Sequence, residues 1–137
     1  MARIVLTDVV VTINTTNNFS DHVAAVTITT DVAEVATTAF SNTAETRIGG
    51  LKDNSVQIDF HQDFASTSIE DVIYPLIGTS VPIAIKPTSG AIATTNPEYQ
   101  FNALITSWTP IAGAVGELAT VSVTWPITGA ITKDVTP

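Results

Sequence analysis

The segment SVQIDFHQDF, residues 55–64, alternates apolar and polar side chains with a period of two. That period is typical of a β-strand with one face in the core and one face in water. The opposite face would carry Asp59, His61 and Asp63 side by side. Such a row suggests a metal site, a catalytic site or a solvated wall. The strand pattern predicts that its apolar positions are buried: Val56, Ile58, Phe60 and Phe64.

A metal site on this row is disfavoured by geometry. Side chains at i and i+2 on one strand lie roughly 6.6 Å apart along the chain, whereas a metal ion needs ligand atoms at about 2.0–2.2 Å. His22 is the other imidazole, and nothing in the sequence brings it near the row. The chain has no cysteine, which excludes disulfides and thiolate ligands. We therefore expect no metal site and no cofactor.

The sequence motifs do not support a catalytic site either. Nucleophilic catalysis needs a nucleophile next to an oriented base, and the chain has no G-x-S-x-G turn. It also has no G-x-G-x-x-G or Walker-type loop, and the glycine pair at 49–50 is followed by a single cation, Lys52. Asp59 and Asp63 match a glycosidase pair only in residue type. We predict that the protein is not an enzyme and has no catalytic residues.

The composition limits the partners. Of 137 residues, 45% are hydrophobic and 13% charged, and 13 acidic residues against 5 basic ones give a formal net charge of −8. An acidic surface repels phosphate, whereas nucleic-acid binders carry clustered Lys and Arg. No apolar run approaches the length of a membrane span, and the N-terminus MARIVLTDVV does not resemble a signal peptide. We expect one domain, residues 1–137, made in the cytosol and independent of membranes.

Abundant Thr, Val and Ile favour strands over helices. Turn formers at 15–22 should reverse the chain between the first two strands, making a hairpin with Phe19 beneath the turn. One short helix fits within 66–78, where Thr67 or Ser68 can cap it and Pro75 ends it. The fold class predicted is mainly β, an antiparallel sandwich or barrel with one short helix. The expected strands are 9–14, 23–30 with a possible extension to 38, 55–64, 80–87, 99–108 and 117–125.

Two segments fall outside the strand pattern. Residues 39–54 lose periodicity and contain the glycine pair, which predicts a long inter-strand loop of the kind that is usually functional or disordered. Residues 126–137 are interpreted as a C-terminal tail that no strong pattern anchors. Prolines at both ends of 80–87 predict a strand near a sheet edge.

Three stretches of the sequence carry a resemblance to a known family. They are FSDHVAAVTITTDVAEVATTAFSNTAETRIGGLKDNSVQIDFHQDF (19–64), IYPLIGTSVPIAIKPTSG (73–90) and ATVSVTWPITG (119–129). Together they resemble the major tail tube proteins of long-tailed, siphovirus-type bacteriophages, especially those of actinobacterial hosts. The resemblance implies a β-sandwich subunit that forms six-fold rings, which stack into a hollow tube for the genome.

The resemblance also implies roles for particular residues. In the family the long loop after the second strand reaches the adjoining ring, which here makes 39–54 the assembly loop. The contact candidates on it are Arg47, Gly49, Gly50, Leu51 and Lys52. Asp59, His61 and Asp63 would then face water, either in the bore or outside the tube. The implied partners are further copies of the chain and other phage tail proteins. DNA would pass without specific binding, in a virion tail assembled in the host cytoplasm.

Other hypotheses remain open from the sequence. A head decoration protein or a tail terminator would share the composition but stop at a trimer or a single ring. A small carbohydrate-binding module would present Trp108 or Trp125 in an exposed groove. An enzyme of unknown type would depend on Asp59, His61 and Asp63 together.

Overall fold

The computed structural model describes residues 3–136 of the chain. Its strands are β1 (Val10–Ile13), β2 (Asn17–Asn18), β3 (Val23–Ala36), β4 (Arg47–His61), β5 (Ser80–Lys86), β6 (Glu98–Leu104) and β7 (Thr120–Asp134). One α-helix, α1 (Ile69–Ile73), and two short 3-10 turns, Ser20–His22 and Tyr74–Leu76, complete the elements. The predicted antiparallel β class with one short helix is confirmed. Within residues 3–136, no helix is long and apolar enough to cross a membrane.

All strand pairs are antiparallel, in the order β2-β1-β5-β6-β7-β4-β3. The long strand β7 belongs to both halves of this sheet. Its first half pairs with β4 up to the Ser55–Pro126 pair, and its second half pairs with β6 from Ile127 to Asp134. Buried side chains from both halves form one hydrophobic core. The sheet therefore folds over on itself along β7.

The change of partner occurs at a bend in β7. Pro126 has no N–H to donate to a ladder, and Gly129 adopts a positive φ of 88° that other residues rarely accept. Asn54 is buried beside this bend and donates from Nδ2 to the carbonyl oxygen of Gly129 at 3.1 Å. Beyond Ser55, towards the start of β4, only β3 pairs with β4.

The core prediction for residues 55–64 is confirmed at three positions and wrong at the fourth. Val56, Ile58 and Phe60 are completely buried, whereas Phe64 is 63% exposed. The reason is that β4 ends at His61, so the period of two does not extend to Phe64. Phe19 is buried beneath its turn, as predicted.

The prediction of a long loop over residues 39–54 is wrong. β4 starts at Arg47 and pairs with β3 throughout, with register irregularities near Ala24 and Ala33, so only residues 37–46 connect the two strands. Neither Gly49 nor Gly50 has a positive φ. Periodicity fails here because both faces of this hairpin are exposed, so no face needs to be apolar.

The pairing and the bounds of the strands correct four further predictions. β1 pairs with β2 and β5 rather than making a hairpin with β3. β5 lies inside the sheet between β1 and β6, and Pro82 is tolerated there because the β1 pairing starts only at Ile83. The supposed tail from residue 126 is strand as far as Asp134, while Pro137 lies outside the described residues. β6 ends at Leu104, earlier than the predicted 108.

The predicted helix is confirmed in a shorter form. Ser68 stands at the N-cap of α1, and Pro75 lies in the following 3-10 turn. Ile69 and Ile73 are fully buried, and the side chains of Val72 and Leu76 pack partly against the core.

The glycine pair gives a test of the hairpin. A Cβ at Gly50 would lie 3.1 Å from a methyl carbon of Val35 and 3.2 Å from the Ala33 carbonyl oxygen, which cannot move without its strand. At Gly49 the Cβ would meet only the Val32 side chain, at 3.3 Å. We predict that Gly50→Ala lowers the local stability of the hairpin by about 1 kcal/mol, or roughly five-fold faster amide exchange. Gly49→Ala should change exchange less. Equal effects of the two variants would contradict the close approach of Ala33.

Candidate functional site

The part of the β3–β4 hairpin that extends past the bend, residues 31–54, is called the projecting hairpin. Every residue from 31 to 53 is exposed, and the strands there pair only with each other. Its end is ordered by Thr37, whose N–H donates to the Thr46 carbonyl oxygen at 2.8 Å and whose hydroxyl contacts that of Thr46 at 2.7 Å. The large apolar side chains that it exposes are Val32, Val35, Phe40, Ile48 and Leu51.

An exposed apolar surface of this kind is typical of an association site. Leu51 is 87% exposed and Phe40 is fully exposed. An exposed two-stranded ribbon also presents unpaired backbone groups along its edges, which favours pairing with another chain. The arrangement fits association with a protein surface.

The two cations of the projecting hairpin have different surroundings. Arg47 lies 3.4 Å through Nε from a Glu34 carboxylate oxygen and contacts Glu45 through Nη2. Its charge is therefore balanced within its own hairpin, and a neighbour is not needed for that. Lys52 has no ion pair with a carboxylate among residues 3–136. Lys52 is the cation that remains available to an approaching carboxylate.

The outer face of β3, β4 and the first half of β7 is called the polar sheet face. It holds Asp59, whose carboxylate accepts a hydrogen bond from the Ser122 hydroxyl across the β4–β7 pair. His61 stands opposite Thr120 on the same face and keeps its Nδ1 buried without a partner among the described residues. The face carries no Lys or Arg within the paired region: Ala25, Thr27, Thr29, Ser55, Gln57, Asp59, His61, Thr120, Ser122 and Thr124.

Asp63 does not continue this row, because it lies beyond the end of β4 and turns to His22. His22 Nε2 is 3.0 Å from Asp63 Oδ2, and His22 Nδ1 is 2.8 Å from Asp21 Oδ1. The Asp63 carboxylate also accepts from the Ala65 N–H at 2.9 Å and the Ser68 hydroxyl at 2.8 Å. This cluster joins the start of β3 to the end of β4 and the N-cap of α1.

The sequence analysis missed the contact between His22 and Asp63. The contact follows from the β3–β4 register, in which Val23 pairs with Phe60 and so brings the residue before β3 close to the residues after β4. The three residues of the predicted row thus separate into different surroundings. Among residues 3–136, no group of three or more His, Cys, Asp or Glu side chains is placed to hold a metal ion.

The cluster shifts both titrating groups towards their charged forms. The hydrogen bond from His22 to Asp21, with a further contribution from Asp63, raises the pKa of His22 above its usual 6.5. The Ala65 N–H, the Ser68 hydroxyl and His22 lower the pKa of Asp63 below its usual 3.8. Each shift favours the imidazolium–carboxylate pair.

A second exposed apolar segment lies between β6 and β7. Residues 106–119, called the base loop, contain no helix or strand. Trp108 fixes its start, with Nε1 donating to Glu70 Oε2 at 2.5 Å and its ring packed edge-on against Phe60 at 5.6 Å between ring centroids. Gln62 bonds to the base loop at two points. Its side-chain amide donates to the Pro110 carbonyl oxygen at 2.8 Å, and its backbone N–H donates to the Ala119 carbonyl oxygen at 3.0 Å.

Beyond these anchors the base loop exposes Ile111, Val115 and Leu118. The long irregular segment of the structure is therefore the base loop, whereas a long loop was predicted at residues 39–54. The anchoring tryptophans are not a binding platform: Trp125 is fully buried, and Trp108 is half-buried against Phe60. A carbohydrate-binding groove built on exposed Trp108 or Trp125 is therefore wrong for this fold.

The cluster around His22 predicts a pH dependence of stability. The raised pKa of His22 means that its contribution is fully present below about pH 6.5 and is lost as the pH rises through the higher folded pKa. The lowered pKa of Asp63 means that its contribution is present above about pH 3.8 and is lost as the pH falls through the lower folded pKa. His22→Gln should therefore destabilise the fold more at pH 5.5 than at pH 8.5 in urea titrations. An equal loss at both pH values would contradict the cluster.

Solved structures with a similar fold include three from virion, tail and baseplate particles. A chain in the virion of a native gene transfer agent particle aligns with a TM-score of 0.72 and 15% identity, over 93% of this chain and 96% of that one. A chain in the tail of an empty gene transfer agent particle, determined with C6 symmetry, aligns at 0.66 and 18%, over 89% and 90%. A chain in the six-fold symmetrised baseplate of the anti-feeding prophage aligns at 0.53 and 8%, over 98% of both.

No protein-family profile matches this chain, and no curated protein sequence matches it. At identities below 20% the structural likeness is a likeness of fold. The neighbours are chains of virion and tail particles. They support the resemblance to phage tail tube proteins. Over nearly its whole length, the chain has the fold of subunits found in phage-like tail particles.

Proposed function

We propose that this protein is the subunit of a phage tail tube, a virion protein that assembles into stacked rings and conducts DNA during ejection. The observation that carries the proposal is the shared fold with chains of phage-like tail particles, one of them determined with C6 symmetry. Six subunits per ring are supported by that symmetry and by the resemblance of the motifs. The partners are further copies of the chain and other tail proteins, and assembly takes place in the host cytoplasm.

The contact between rings is assigned to the projecting hairpin. Its exposed Leu51 and unpaired Lys52 are available to a neighbour, together with the adjoining Arg47, Gly49 and Gly50. Burying a large aliphatic side chain contributes about 1.5–3 kcal/mol. Several such side chains per subunit, repeated around a ring, are enough to drive stacking.

The bore is assigned to the polar sheet face, including Asp59 and His61, and Asp63 lies at its end. A wall with Lys or Arg would hold DNA by releasing its counterions, and DNA would then stall. The polar sheet face offers hydroxyl, amide and carboxylate groups instead. The net charge of −8 fits a conduit that DNA crosses without specific binding.

Electron microscopy of the purified protein over a range of concentration and salt tests the proposal. We expect open-ended tubes of uniform bore, and Leu51→Asp should abolish them while leaving the monomer folded. Leu51→Ile is the matched control and should still assemble. A protein that stays monomeric would contradict the proposal, and closed trimers or single rings would favour a head decoration protein or a tail terminator.

The same tubes locate the bore face. Because the chain has no cysteine, Thr124→Cys gives one attachment point for a heavy-metal cluster on the polar sheet face. We expect the cluster along the tube axis, with the unlabelled parent as control. Label on the outer wall would contradict the assignment of this face to the bore.

A further inference from the structure

The imidazole of His22 lies between two carboxylates. Its Nδ1 is 2.8 Å from Asp21 Oδ1, and its Nε2 is 3.0 Å from Asp63 Oδ2. An ionised carboxylate only accepts hydrogen bonds, so both contacts are hydrogen bonds only when both ring nitrogens carry a proton. The neutral ring has one N–H and keeps only one of the two bonds. The geometry of the cluster therefore requires the imidazolium.

No other cation neutralises these carboxylates. Besides His22, the charged residues of its turn, of the segment after β4 and of α1 are all acidic: Asp21, Asp63, Glu70 and Asp71. Strand β1 packs against the same turn and has no charged residue. At the end of β4, Asp59 bonds to Ser122, and His61 makes no ion pair with a carboxylate among residues 3–136. A neutral His22 would leave two carboxylates on either side of an uncharged ring, and their repulsion would weaken the contact.

The residues after β4 connect this cluster to the base loop. The backbone N–H of Asp63 donates to Gln62 Oε1 at 3.0 Å, which orients the side-chain amide of Gln62. The same amide donates through Nε2 to the Pro110 carbonyl oxygen in the base loop at 2.8 Å. A continuous series of hydrogen bonds therefore runs from His22 through Asp63 and Gln62 to the base loop.

Helix α1 gives a second connection beside the first. The Asp63 carboxylate accepts from the Ser68 hydroxyl at 2.8 Å, and the Asp63 carbonyl oxygen accepts from the Glu70 N–H at 3.3 Å. Glu70 Oε2 in turn accepts from Trp108 Nε1 at 2.5 Å and from Gln62 Nε2 at 3.3 Å. Both connections begin at Asp63 and end at an anchor of the base loop.

From these contacts we infer that His22 regulates the order of the base loop according to pH. With the imidazolium in place, Asp63 is fixed and the loop is held at Trp108 and Pro110. When His22 loses its proton, Asp63 is held less tightly, both anchors weaken, and residues 106–119 move more freely. The inference concerns a single subunit and does not depend on the proposed tube. An ordered loop loses less chain entropy when another surface covers it, so protonation of His22 favours association through the base loop.

The direction of the pH effect follows from the same cluster. The hydrogen bond to Asp21, with a further contribution from Asp63, raises the pKa of His22 above its usual 6.5. The contacts of the imidazolium are therefore fully present below about pH 6.5 and are lost as the pH rises through the higher folded pKa. The order of the base loop should decrease over the same range.

A spin label in the base loop tests the inference on the intact subunit. The parent chain has no cysteine, so Val115→Cys gives one site for a nitroxide at a fully exposed position. At concentrations where the protein is monomeric, the mobile fraction of the electron paramagnetic resonance spectrum should rise at least about three-fold from pH 5.5 to pH 8.5, as expected for the loss of one hydrogen bond. The midpoint of this change should lie above pH 6.5. The same label at Phe40→Cys, in the projecting hairpin, is the control and should not respond to pH.

Two histidine variants identify the titrating group. In the Val115→Cys chain, His22→Gln should leave the label mobile at both pH values, because glutamine brings no positive charge to the two carboxylates. His61→Gln is the matched control and should retain the full pH dependence. A pH dependence that persists in His22→Gln, or that disappears in His61→Gln, would overturn the inference. An equally ordered base loop at both pH values in the labelled parent would also overturn it.

Asp63→Asn checks the other side of the contact. Asparagine keeps an acceptor for the Ala65 N–H and the Ser68 hydroxyl but has no charge to hold the imidazolium. The pH response of the label at Val115→Cys should become smaller, with near-ultraviolet circular dichroism confirming that the fold is retained. A response of unchanged size and midpoint would contradict the connection through Asp63.

Discussion

The bend in β7 is the constraint on which the rest of the structure depends. Pro126 ends the pairing with β4, Gly129 supplies the backbone conformation, and buried Asn54 bonds across to Gly129. Because β7 leaves β4 at this point, the sheet can fold over a single core. For the same reason, the first half of β4 keeps only β3 as a partner and projects from the body.

This bend links the internal architecture to association. A two-stranded ribbon in water is marginally stable by itself, and here it has apolar side chains on an exposed surface. The ribbon gains stability when another surface covers it. The base loop is a second exposed apolar segment, held in place by the Trp108–Glu70 and Gln62–Pro110 hydrogen bonds. The folded subunit therefore exposes apolar side chains on both the projecting hairpin and the base loop.

Much of the body could be predicted from the sequence because burial imposes a pattern. Val56, Ile58 and Phe60 alternate with polar residues since one face of β4 meets the core, and Ile69 and Ile73 follow helical spacing for the same reason. The projecting hairpin could not be predicted in this way, because a strand with two exposed faces has no required period. Phe64 was assigned to the core because the pattern does not show where a strand stops.

The site depended on pairing that no local pattern encodes. The contact of His22 with Asp63 follows from the β3–β4 register, and the separation of Asp63 from Asp59 follows from the end of β4 at His61. The ordering of the base loop could not be predicted from the sequence, because the residues that anchor it come from distant segments. In contrast, the acidic composition and the motifs that resemble tail tube proteins could be read without a fold, and the shared fold with chains of phage-like tail particles agrees with them.

Assembly of a chain that lacks the projecting hairpin tests most directly whether this hairpin drives association. Residues 32–52 are replaced by an Asn-Gly turn that joins the paired residues Asp31 and Asp53. We expect a folded monomer, with the near-ultraviolet signal of buried Trp125 retained and a single slow species in sedimentation velocity at concentrations where the full chain forms tubes. Tubes formed by the shortened chain would contradict it.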